Sequence, residues 1–180
     1  MQKKNTKGAV AIEFAIVFPV FFMIFYAIVT YGMIFATQQT LTLAAAEGAR
    51  AAVRYPVNLK NNSVANKYEQ LQSRLAEACA AAIVATDWLL KIGKGVGINT
   101  ACGNGISSSA GFWITPGICG NGTSGFKSST DTNLLNCVIM QVNYNYAAAP
   151  LVPKLLGPLL SFPTPDFLQG RAAAQISLID

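Results

Sequence analysis

The sequence contains no histidine. That removes the side chain that most often serves as a base near neutral pH, and one of the common zinc ligands. Charge is scarce as well. Asp, Glu, Lys and Arg make up 12% of the chain, against about 25% in a typical soluble protein. The deficit is uneven, because no ionisable Asp, Glu, Lys or Arg lies between Glu13 and Glu47. The acids are scattered, with no pair at a spacing that points to a glycosidase or a metal site. Neither GxGxxG nor GxxxxGK[ST] occurs. CGNG occurs twice (Gly103 and Gly105, Gly120 and Gly122), but in a loop context rather than between a strand and a helix, so these glycines read as turns beside cysteines. No catalytic residue, metal or cofactor is expected.

The net charge of +5 invites a nucleic-acid reading. Three of the lysines, however, are Lys3, Lys4 and Lys7. Without residues 1–8 the formal charge falls to +2, from the 13 basic and 8 acidic residues of the whole chain. No basic stripe interleaved with aromatics survives, so no nucleic-acid partner is expected. Lysines beside an apolar span fit the positive-inside rule, with the tip cytoplasmic and the remainder outside.

A hydrocarbon core needs about 20 apolar residues as a helix, and Phe14 to Ala36 is long enough. Pro19 falls within it and should loosen or kink the helix, which membrane helices tolerate. ATQQTLTLAAAEGARAAVRY then continues without proline as far as Pro56. Leu41, Ala45, Gly48 and Ala52 form a narrow face of small residues, so one helix of some 45 residues is predicted, half in lipid and half outside. VNLKNNS is a loop. Val64, Tyr68, Leu71, Leu75, Ala78, Cys79, Ala82 and Ile83 then recur at helical spacing, with Arg74 on the polar side, predicting a second helix from about Val64 to Leu90. VGINTA and GFWIT are candidate short strands around a Gly-rich loop, with Phe112 and Trp113 as candidate core anchors. CVIMQVNYNY alternates, with Val138, Met140, Val142, Tyr144 and Tyr146 on one face, as a half-buried strand does. LVPKLLGPLLSF reads as a packed short helix or a segment against the membrane surface. GRAAAQISLI alternates again as a closing antiparallel strand.

Cys79, Cys102, Cys119 and Cys137 are even in number, and in an exported domain suggest two disulfides. A zinc site would need histidine or CxxC pairs that the chain lacks. Three pairings are open. Cys102–Cys119, closing the Gly-rich loop and leaving Cys79–Cys137, is favoured.

The sharpest signal is KGAVAIEF: a basic tip, Gly8, four apolar residues, Glu13, Phe14, then the span. It resembles the processing motif of type IV prepilins. With EFAIVFPVFFMIFYAIVTYG and the turn ending Gly48-Ala49-Arg50, residues 7–54 resemble the tight-adherence (Tad) pilus pseudopilins of the TadE type and the related TadF. The resemblance implies a leader (1–8), a membrane-spanning and extended helix (9–55) and an extracytoplasmic α+β domain (56–180). The implied fold is a pilin-like long helix packed on a small antiparallel sheet with a second helix. It also implies cleavage by a prepilin peptidase between Gly8 and Ala9. The protein would sit in a bacterial inner membrane, N-terminus cytoplasmic, and act in pilus assembly with other pilins and the inner-membrane platform.

A carboxylate inside a membrane calls for a partner. Trimming would supply one, the α-amino group of Ala9, one helical turn from Glu13. It could belong to the same chain or to a neighbour, where it would fix subunit register. Pro19 and the small residues Ala27, Thr30 and Gly32 are the candidate packing positions in the span. Two other readings are open. In one, LAAAEG is a signal-peptidase site offering Ala44 and Ala46, and the mature protein is secreted. In the other, a single-span anchor carries a binding module or enzyme in residues 55–180.

Overall fold

The computed structural model describes residues 7–54, 67–92, 102, 111–118, 137–152 and 164–176. The elements in order are α1 (Lys7–Val53), α2 (Lys67–Ala85), α3 (Asp87–Ile92), β1 (Phe112–Ile118), β2 (Cys137–Asn145) and β3 (Phe167–Gln175). The architecture is α+β. The strands form one antiparallel sheet in the order β1-β2-β3, and α1 lies on it beside α2.

α1 is helical for 47 residues, Pro19 included. Its surroundings change along its length. Val10 to Phe25 are all exposed, whereas Thr30, Ile34, Thr37, Leu41, Ala45, Gly48 and Ala52 are all buried. Their spacing of three to four residues keeps one stripe of the helix on the domain. The stripe is made of small residues where helices cross. A Cβ on Gly48 would sit 3.1 Å from the Ala78 carbonyl oxygen and 3.2 Å from Met140 Cε, so α1 meets the backbone of α2 there, with the Met140 side chain of β2 packed against the gap.

The sheet alternates as a one-sided sheet should. Phe112 and Ile114 of β1, Val138, Met140, Val142 and Tyr144 of β2, and Leu168 of β3 are buried with Leu41, Leu71 and Leu75 of the helices. The register sets Phe112, Tyr144 and Leu168 in one row, and Ile114, Val142 and Gly170 in the next. Gly170 is where α1 comes closest to the sheet. A Cβ there would run into the backbone of Leu41 and Thr42, so no residue but glycine fits without moving the helix. Beside it, Gln38 Nε2 donates to the Gln169 carbonyl at 2.7 Å. On the opposite face Asn143 is nevertheless buried, its Oδ1 accepting from Gln141 Nε2 and Gln169 Nε2, each at 3.1 Å.

Several expectations are corrected. The second helix stops at Ala85, and α3 restarts at Asp87. Thr86 makes the break. Its hydroxyl donates to the carbonyls of Ala82 and Ile83, and its own N–H closes a tighter i−3 bond to Ile83. Such local hydroxyl bonds compete with the helix ladder. Arg74 is not on a solvent face but buried, with Nη1 3.2 Å from the carbonyl oxygens of Ala52 and Val53. It caps the end of α1, where free carbonyls and the helix dipole both favour a cation. Neither half of the favoured disulfide pairing stands. Cys79 pairs with Cys102, with Cα atoms 5.9 Å apart. The reason is topological, since Cys102 forms a parallel bridge with Ile114 at the sheet edge and this places it beside α2. Cys137 is also disulfide-bonded, and Cys119 lies outside the described residues. So do VGINTA and most of LVPKLLGPLLSF. The closing strand starts at Phe167, ahead of the predicted Gly170.

Candidate membrane anchor and processing segment

The candidate site is the first half of α1. Gly8 and Ala9 lie in the helix backbone, one turn below Glu13. Glu13 and Phe14 are exposed, as is every residue on to Phe25. The stretch has a hydropathy of 2.4 over its most apolar window, with none of that window buried. An exposed apolar surface this long has no stable place in water. A bilayer supplies the missing solvent for the side chains, while the helix satisfies its own backbone.

The surface of this stretch is not uniform. Phe14, Phe18 and Phe22 stack at four-residue intervals, with ring centroids 5.4 and 6.3 Å apart, and Phe21 stacks on Phe25 at 6.4 Å. Side chains four apart lie one above another on a helix, so the phenylalanines form a ladder. The four-residue spacing of these phenylalanines is already in the sequence.

The candidate packing positions divide. Pro19 and Gly32 face outward, and a Cβ on Gly32 would meet nothing within 4 Å. Ala27 is half-buried. Thr30 is buried by its own domain, its hydroxyl donating to the Tyr26 carbonyl at 2.8 Å. Thr37 and Thr40 fold back in the same way onto Met33 and Ala36. These bonds let hydroxyls enter an apolar contact with their donors satisfied. Thr40 also accepts from Trp88 Nε1 at 3.2 Å, which ties α3 to α1.

Where the span meets the domain, tyrosines gather. Tyr146 is buried after β2. Tyr144 stacks edge-on to Tyr146 and donates its hydroxyl to the Ala149 carbonyl. Burial, and secondarily the neighbouring Tyr146, push the Tyr144 hydroxyl up to about 12. Burial also raises Tyr146. Both rings therefore act as apolar bodies with a neutral polar tip.

On the far side of α1, Ala51 and Arg54 with Ala80, Ala81, Val84 and Ala85 line an open groove of about 550 Å³. Glu47 and Glu77 stand on its walls, and Glu47 is paired with Arg50 at 2.9 Å. An alanine floor between solvated charges offers packing surface, not acid–base chemistry.

The family described as TadE-like protein matches residues 8–50. The match opens at Gly8 and closes at Arg50, within α1, so it takes in both the exposed and the packed half of the helix. No curated protein and no solved structure matches the chain.

Proposed function

We infer that this chain, TadE-like along its long first helix, is a pseudopilin or minor pilin that acts in assembling a Tad-type adhesive pilus. Its role is structural rather than catalytic. Lys3, Lys4 and Lys7 hold the tip in the cytoplasm. A prepilin peptidase cuts between Gly8 and Ala9. α1 keeps the trimmed chain in the inner membrane, with the domain on the periplasmic or outer side. The observation that carries this reading is the coincidence of the TadE-like match with one uninterrupted helix, apolar and exposed first, domain-bound later.

Glu13 is then the carboxylate that meets the new α-amino group of Ala9, its own or a neighbour's. A neighbour's amine fixes the axial register between helices, because a slip leaves a charge unpaired in lipid. Neighbours approach at Gly32, which is exposed and has no side chain to keep backbones apart. The partners are the peptidase, other pilins and the membrane platform.

The signal-peptide alternative conflicts with the packing. A cut at LAAAEG would remove Leu41, Ala44 and Ala45, all fully buried, from the domain core. The decisive experiment is N-terminal sequencing of protein extracted from membranes of cells with an active prepilin peptidase. The expected first residue is Ala9; retention of Met1 overturns the reading. Gly8→Leu should block trimming, whereas Glu13→Ala should leave trimming intact and impair incorporation.

A further inference from the structure

α1 has no spacer between its exposed apolar stretch and the domain. Glu13 is the last Asp, Glu, Lys or Arg before Glu47, and burial by the domain begins with Tyr26 and Ala27 and is complete at Thr30. Phe14 to Val29 rises about 24 Å, at about 1.5 Å per residue. That is shorter than the roughly 30 Å hydrocarbon core. Val10 to Val29 rises about 30 Å, but then takes Glu13 into the core. In the first setting the near end of the domain dips into the hydrocarbon boundary; in the second it lies flush with it. Both bring the same end of the domain to the headgroups.

That end is identified by how the strands run. Met140 lies beside Gly48, far along α1, whereas Gly170, paired with Val142, meets Leu41, and Gln169, paired with Asn143, is bonded to Gln38. β2 therefore runs toward the membrane, and its antiparallel partner β3 begins there. The near end carries Tyr146, Leu151, Val152 and Phe167, with Trp113 edge-on to Phe167 at 6.3 Å. Phe167 is 55% exposed. Asp166 is the one carboxylate among the described residues there. At the far end of β3 the exposed side chains are Arg171, Ala173 and Gln175. Aromatic residues with polar tips, at the level where a span leaves lipid, form an interfacial belt.

We propose that this end of the domain is seated in the headgroup layer of the membrane that α1 crosses, with Phe167 at the acyl boundary. The partner is a lipid surface, the leaflet on the domain's own side. The proposal rests on reading α1 as membrane-inserted, and the experiment separates the two.

The full chain is reconstituted in phosphatidylethanolamine–phosphatidylglycerol vesicles, with Trp88→Phe and Trp113→Phe removing the native tryptophans. A single reporter is placed at either end of β3, as Phe167→Trp or Gln175→Trp, both at exposed positions. Lipid brominated near the headgroup should quench the reporter at 167 several-fold more than the one at 175, and aqueous iodide should reverse that order. Equal quenching in protein that floats with the vesicles overturns the seat and leaves the anchor standing. Failure to float overturns both. The unsubstituted chain provides a second measurement through a lipid with a photoactivatable group at headgroup depth. Crosslinks should fall in 145–152 or 164–167. Crosslinks in 171–176, or in neither segment, overturn the seat.

Discussion

The two halves of α1 share one helical backbone, yet they are held by different physics. From Val10 to Phe25 every side chain points into the surroundings, and only lipid or a neighbouring helix can cover them. From Thr30 onward one stripe is closed against the chain's own sheet and second helix. Large residues fill the first half, since a bilayer imposes no shape on them. Small ones fill the second, where Gly48 and Gly170 set how near the backbones come. Hydropathy falls from the first half to the second, which carries Gln38, Gln39, Glu47 and Arg50; residue size and the threonine–backbone bonds divide them as well.

Substitutions should therefore act on one half and spare the other. The largest effect is expected at Gly170→Val, which drives a side chain into the Leu41 backbone. The domain should lose about 3 kcal/mol or more, seen as loss of the near-ultraviolet circular dichroism transition in detergent, while the protein still floats with membranes. Leu41→Ala should cost about 3 kcal/mol by emptying a fully buried site, while Phe21→Ala, at a residue 63% exposed, should leave the same Tm unchanged. A Leu41→Ala domain as stable as the parent would erase the division between the halves.

Alkali offers a smaller test. The folded-state pKa of Tyr144 lies above its ordinary 10.0, at about 12. The stabilisation from keeping it neutral is therefore whole below pH 10 and is lost as pH rises toward 12. The domain Tm should fall by about 5 °C over that window, and Tyr144→Phe should flatten the decline. Smallest of all, Gly32→Ala meets open space and should add at most about 1 kcal/mol through helix propensity. A large loss of stability there would mean that the outward face is already occupied.

Much of this was legible in the sequence because it is local. The long helix, the alternation of Val138 to Tyr144 and the closing strand follow from periodicity, and the Gly8–Glu13 pattern is a matter of spacing. What escaped depends on partners distant in the chain. Arg74 looks like an ordinary solvent-facing cation until the carbonyls of Ala52 and Val53 are brought to it. Cys79 chooses Cys102 because a bridge at the sheet edge places it near, and nothing in the spacing of the cysteines carries that information. Gly170 did leave a trace, as a glycine inside a strand pattern, which often marks a close backbone approach. The Thr86 break hinges on one hydroxyl choosing its own helix.

The continuity of α1 also has a mechanical side. Its seam with the domain runs from Thr30 to Ala52, about 33 Å along the axis at about 1.5 Å per residue. A pull on the domain along that axis loads the whole seam in shear at once, rather than peeling it contact by contact. With no hinge between seam and span, the tension passes undiminished to the turn that holds Glu13.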